Sequence, residues 1–219
     1  MIKLKLYKIH GSITPDEILS KINETLYSDE QGFGFEIIDS SPESFTAQFT
    51  ERTIKTQTYE LITGEEQEVE TVSYLRVRFG IRFGSEIALY VINPPRSMKY
   101  PYEMIRTIFK KENKLQPVSL NLSQMVDDFD SKYEQKITSL SLSNIQCDMN
   151  TIAKTKLVSN QNLYAYYKEH YGNTDALIDI VEMTVNSMSI ECSRTGRIKL
   201  AEVKLKDFLL MADYCTTQA

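Results

Sequence analysis

The chain has 219 residues, 42% of them hydrophobic and 25% charged, with a formal net charge of −5. That is enough apolar mass for one large domain or two small lobes, and it excludes a disordered chain. The acidic balance excludes blanket affinity for nucleic acid, so any basic surface must be local.

Three cysteines, Cys147, Cys192 and Cys215, contain no CxxC pair. A disulfide framework and a zinc knuckle are therefore disfavoured, all three read as small buried apolar residues, and a reducing, cytoplasmic setting is expected. The absence of Trp beside plentiful Lys, Ile, Ser, Asn and Tyr suggests a bacterial source, including a mobile-element or defence complex. No run of about 18 apolar residues is present to span a bilayer. The eight glycines build no phosphate-binding loop, so no small-molecule cofactor is implied.

In chain order, residues 2–9 alternate as a first strand rather than a signal peptide. A helix follows, with Thr14 as N-cap, Pro15 at the first helical position and Glu17 completing a capping box. Its apolar stripe is Ile18, Leu19, Ile22 and Leu26. Strands are predicted at 35–38, 45–49 and 54–62, and then an acidic turn carries Glu65, Glu66, Glu68 and Glu70 after Gly64.

The return strand places Leu75, Val77, Phe79, Ile81 and Phe83 on one face. Tyr74, Arg76, Arg78, Gly80 and Arg82 fall on the other. A tight Gly84-Ser85 connection leads into a strand at 87–92, and Asn93-Pro94-Pro95 stops it. A helix from Pro101 shows Met104, Ile105, Ile108 and Phe109 on one side, with Arg106 and Lys110 one turn apart on the other. A second helix at 122–133 turns Asp127, Asp128 and Asp130 outward.

The remainder reads as a strand at 136–143, a short helix at 151–158 and a helix with a Leu163, Tyr166, Tyr167, His170 face. Strands at 176–185, 188–193 and 197–205 follow, and Asp207 caps a last helix. The fold class expected is α+β: antiparallel meanders with helices packed on one face, and two pseudo-repeated lobes as an option. The expected division is 1–115 and 116–219.

Charge is unevenly spread. Residues 71–114 hold nine basic residues against three acidic ones, a local +6 that leaves −11 for the rest. The candidate binding surface is therefore Tyr74, Arg76, Arg78 and Arg82 with Arg96, Lys99, Arg106 and Lys110. Arg76 and Arg78 project about 7 Å apart, close to the phosphate spacing of a nucleic-acid strand, and Tyr74 can stack on bases. The competing reading is a solvated sheet face whose arginines pair with glutamates of the acidic hairpin.

A second candidate surface is the tyrosine-rich helix, where Tyr164, Tyr167 and Tyr171 suit a protein interface. A loose D…ExK order in Asp179, Glu202 and Lys204 would suit a metal-dependent nuclease. His10 and His170 have no nucleophile motif beside them. The reading favoured is a non-catalytic accessory or adaptor subunit that binds DNA, RNA or an acidic partner protein through the basic strand and helix. The alternatives are a purely structural interaction subunit and the nuclease.

Overall fold

The structure is a computed structural model that describes residues 1–60, 62–84 and 87–216. Among these residues are eleven strands and five α-helices, with antiparallel sheet dominant. In order they are β1 (Ile2–His10), α1 (Pro15–Asn23), β2 (Phe33–Ser40), β3 (Ser44–Glu60), β4 (Glu66–Arg82), β5 (Ile87–Ile92) and α2 (Lys99–Thr107). Then come β6 (Lys114–Pro117), α3 (Leu122–Lys132), β7 (Gln135–Gln146), β8 (Ile152–Val158) and α4 (Tyr164–His170). The chain closes with β9 (Leu177–Val185), β10 (Met188–Ser193), β11 (Arg197–Leu200) and α5 (Leu205–Thr216). Among the described residues no helix is long and apolar enough to cross a membrane.

Contacts divide the chain into two compact units. One is built from His10–Phe83 and Val91–Lys114, the other from Met1–Ile9, Gly84–Tyr90 and the residues from Leu115 onward. In the second unit β11 lies between β1 and β10, with Ile2 opposite Leu200 and Leu4 opposite Ile198. β9 joins β10 to β7, and β8 adds to β7, each pair antiparallel. The first strand pairs with β5 and β6 as well, so its neighbours come from the middle of the chain and from its end.

The first unit is organised by the β3–β4 ribbon. Seventeen residues of each strand pair in unbroken register, from Ser44 opposite Arg82 to Glu60 opposite Glu66. Two predicted strands are therefore one, because polar Arg52 and Thr53 keep the ladder by pairing with Tyr74 and Ser73. At its base the ribbon buries Phe45, Ala47 and Phe49 with Val77, Phe79 and Ile81. Phe35 of β2 packs edge-on to Phe79 at 6.0 Å and tilts against Phe49 at 5.5 Å, and Tyr100 of α2 meets Phe49 at 5.9 Å. A ring in such a cluster contributes about 3–5 kcal/mol over alanine. Beyond Thr53 every described residue of β3 is exposed, and β4 is exposed up to Tyr74. The ribbon is anchored at one end and solvated on both faces at the other.

The capping box on α1 forms as expected: Glu17 N–H donates to Thr14 Oγ1 at 3.3 Å and Thr14 N–H to Glu17 Oε2 at 3.2 Å. The helix ends at Asn23, however, and Leu26 leaves its stripe for a parallel bridge with Phe35. Gly34 permits this crossing. Its φ of +152° is glycine territory, and a Cβ there would sit 2.5 Å from the Tyr27 backbone.

Three more expectations are corrected. The segment expected as a helix at 151–158 instead forms β8 (Ile152–Val158), where exposure alternates in register with β7. The last strand stops at Leu200, and Glu202–Lys204 make a 3-10 turn. Cys192 is buried but Cys147 is exposed. β6 was not foreseen. The Ser85 connection and the side chain of Cys215 lie outside the described residues.

Candidate nucleic-acid interface

Register sets which side chains share the outer face of the ribbon. Opposite Arg78 is Gln48, opposite Arg76 is Thr50, and opposite Tyr74 is Arg52. Next outward comes the pair Ile54 and Val72, and only then Glu70, Glu68 and Glu66. At about 3.3 Å per residue, Glu70 is some 20 Å along the strand from Arg76. The acidic hairpin tip therefore does not neutralise Arg76 across the ladder, because both belong to one stiff ribbon. Arg76 instead lies over the Tyr74 ring, its guanidinium carbon 5.5 Å from the centroid.

This face has a wall. The segment after α1 turns along β2, with Tyr27 N–H donating to the Phe35 carbonyl at 3.0 Å and Phe35 N–H to the Thr25 carbonyl at 2.9 Å. Between wall and ribbon lies a depression of about 790 Å³ lined by Asn23, Tyr27, Glu36, Gln48, Thr50, Tyr74 and Arg76, among others. The wall is fastened by Arg52, whose Nη1 donates to the Asp29 carbonyl at 3.2 Å. The Tyr27 hydroxyl donates to Asp29 Oδ1 at 2.8 Å, and that bond raises its pKa above the usual phenol value. Two tyrosines and a guanidinium beside an open groove form the pattern that holds unstacked bases and phosphates. Glu36 is the opposing charge, held by Gln48 Nε2 at 3.5 Å.

The basic helix does not join this surface. Tyr100 packs α2 on the inner face of β3, whereas Arg76 projects from the outer one. Arg96 and Lys99 are exposed at the start of that segment. Arg106 closes the loop after α2 by donating to the carbonyls of Lys110 and Lys111 at 3.0 and 2.9 Å. Lys110 pairs with Glu17 at 2.6 Å, which lowers the pKa of that carboxyl and raises its own. Arg78 and Arg82 are both half-buried on the ribbon base.

Two tyrosines of α4 make hydrogen bonds within their own unit. Tyr167 is buried, and its hydroxyl lies 3.1 Å from Ser123 Oγ on α3. Tyr164 donates to Asp127 Oδ1 at 3.0 Å, and burial followed by that carboxylate pushes its pKa up to about 12. Lys168 reaches the same Asp127 at 3.0 Å. Tyr171 is half-buried at the helix end. Asp130 is exposed, as expected, and accepts a bond from Gln135 at 3.2 Å, while the half-buried Asp128 accepts one from Gln124 of its own helix at 3.0 Å.

The nuclease order is not assembled either. Asp179 on β9 pairs with Arg194 at 3.1 Å, while Lys204 pairs with Asp207 at 3.1 Å from a turn rather than a strand. They line separate depressions. His170 stacks on Tyr166 with centroids 4.1 Å apart, its Nδ1 3.0 Å from the Tyr166 carbonyl oxygen.

A second basic surface was missed in the sequence. β1 and β11 place Lys3 opposite Lys199 and Lys5 opposite Arg197, like charges facing across a ladder. Burial and then Arg197 lower the Lys5 pKa, and Glu191 relieves Lys199 at 2.6 Å. Strand pairing over so long a separation has no local signal. Tyr27 and Arg52 were missed for the same reason, since only tertiary folding brings them beside Tyr74.

The sequence matches no protein-family model and no curated protein, so the functional reading rests on this geometry alone.

Proposed function

We propose that the protein is a non-catalytic accessory subunit that binds single-stranded nucleic acid on the outer face of the β3–β4 ribbon. Arg76 meets the backbone there, and Tyr74 and Tyr27 stack on bases. The observation that carries the reading is the exposed Arg76–Tyr74 pair, set beside Tyr27 in a groove and opposite the neutral Thr50. The Tyr164 and Tyr167 hydroxyls and the Asp127 carboxylate support it indirectly, because they are engaged within their own unit.

The test is fluorescence anisotropy with single-stranded DNA and RNA oligonucleotides over a salt series. Binding should weaken steeply with salt. Arg76→Glu with Arg78→Glu should abolish it while thermal unfolding is unchanged, and each lost phosphate contact lowers the salt slope by about 1. Unchanged binding in that double variant sinks the assignment. Loss on Lys3→Glu with Lys199→Glu instead would move the site to the β1–β11 surface. An acidic partner protein in place of nucleic acid would show as no oligonucleotide affinity together with salt-sensitive retention of a co-purifying protein.

A further inference from the structure

The outer face of the ribbon is ordered along its length: arginine at the base, apolar at the centre, glutamate at the tip. Ile54 and Val72 are direct cross-strand partners, 50% and 43% exposed, and they form the centre. Arg76 and Arg78 lie four and six residues to one side of Val72, and Glu68 and Glu66 lie four and six to the other. The sequence is therefore charge-complementary to itself about Val72.

We infer that the ribbons of two copies pack face to face and antiparallel, about a two-fold axis that passes between their Ile54–Val72 pairs. Rotation about that axis sets Glu68 of each copy over Arg76 of the other and Glu66 over Arg78. The apolar pairs meet at the centre. A two-fold contact of this kind is isologous, so each ion pair occurs twice. It also relieves Glu60 and Glu66, like charges that face each other at the tip of the isolated ribbon. A solvated two-stranded ribbon is marginal by itself, and a partner ribbon gives its distal half the buried face that it lacks. The face is roughly 40 Å long and two strands wide, small for a standard interface, so the dimer is weak and salt-sensitive. This inference does not rest on nucleic-acid binding, but the two occupants would compete for Arg76.

The experiment is sedimentation across a concentration series at low and high salt. The full-length protein should dimerise with an affinity that falls about tenfold or more as salt is raised. Glu68→Arg and Arg76→Glu should each abolish self-association, because each creates two repulsive contacts. Mixing these two variants should restore a dimer, since the arginine introduced at position 68 of one copy then faces the glutamate introduced at position 76 of the other, and the native pair forms on the opposite side. A single chain carrying both changes should self-associate again. A monomeric wild type, a dimer indifferent to either reversal, or a mixture that stays monomeric overturns the proposal. Glu68→Arg keeps Arg76, so it separates the two ideas: it loses the dimer yet retains any oligonucleotide binding. Circular dichroism of each variant confirms that the ribbon base remains folded.

Discussion

β4 and α4 carry similar side chains, tyrosines beside a cation, and they dispose of them in opposite ways. On α4, Tyr164, Tyr167 and Lys168 lie within about one turn of each other and converge on Ser123 and Asp127 of α3. On β4 the ladder holds charges at fixed intervals, so the arginines at the base and the glutamates at the tip stay segregated by sign. A helix packed on a second helix satisfies its polar ends internally. A strand projecting past its core leaves them facing outward.

That contrast breaks first if Tyr167→Ala is harmless. The ring is buried, so its loss should cost about 3–5 kcal/mol in urea denaturation. Tyr74→Ala, at a site 49% exposed, should change stability by no more than about 0.5 kcal/mol. The same change should weaken oligonucleotide binding by about 1–3 kcal/mol, the worth of one stacked base. Gly34→Ala should cost about 1–3 kcal/mol and displace the Tyr27 wall, visible as lost binding with the strands retained by circular dichroism. Tyr167→Phe, which removes only the bond to Ser123, should cost about 1 kcal/mol.

The last prediction concerns pH. The folded protein holds the Tyr164 proton to about 12, whereas an unfolded tyrosine releases it near 10. Its contribution is thus intact below the unfolded value and is lost as pH rises towards 12. The urea midpoint of the wild type should fall more steeply over that window than that of Tyr164→Phe.

Local chemistry was legible and distant pairing was not. Thr14, Pro15 and Glu17 announced α1 because a cap is decided within four residues. The alternation about Val77 and Phe79 announced both faces of β4. The break expected near Arg52 did not occur, since a polar residue interrupts a hydrophobic pattern without interrupting a hydrogen-bond ladder. The 151–158 segment misled because an exposed edge strand has no apolar face to display, and β8 has no buried residue at all. Within the site, Tyr74, Arg76, Arg78 and Arg82 could be grouped from their spacing alone. The separation of α2 from them could not, because Tyr100 chooses its face by packing on Phe49.

The pairing of β1 with β11 has a consequence for synthesis. Lys5 and Thr195 are 190 residues apart, so at about 5–20 residues per second the first strand waits roughly 10–40 s for its partner to be translated. During that interval β1 can pair with β5 and β6, which are translated earlier, but its β11 edge stays open, while the unit built from His10–Phe83 and Val91–Lys114 already has its whole sequence. The nascent protein therefore passes through a stage in which the whole β3–β4 ribbon has been made and the first strand is still open along the edge that β11 later takes. In a chain stalled on the ribosome before residue 197 the β1 groups that pair with β11 should exchange with solvent, and release of the last third should protect them.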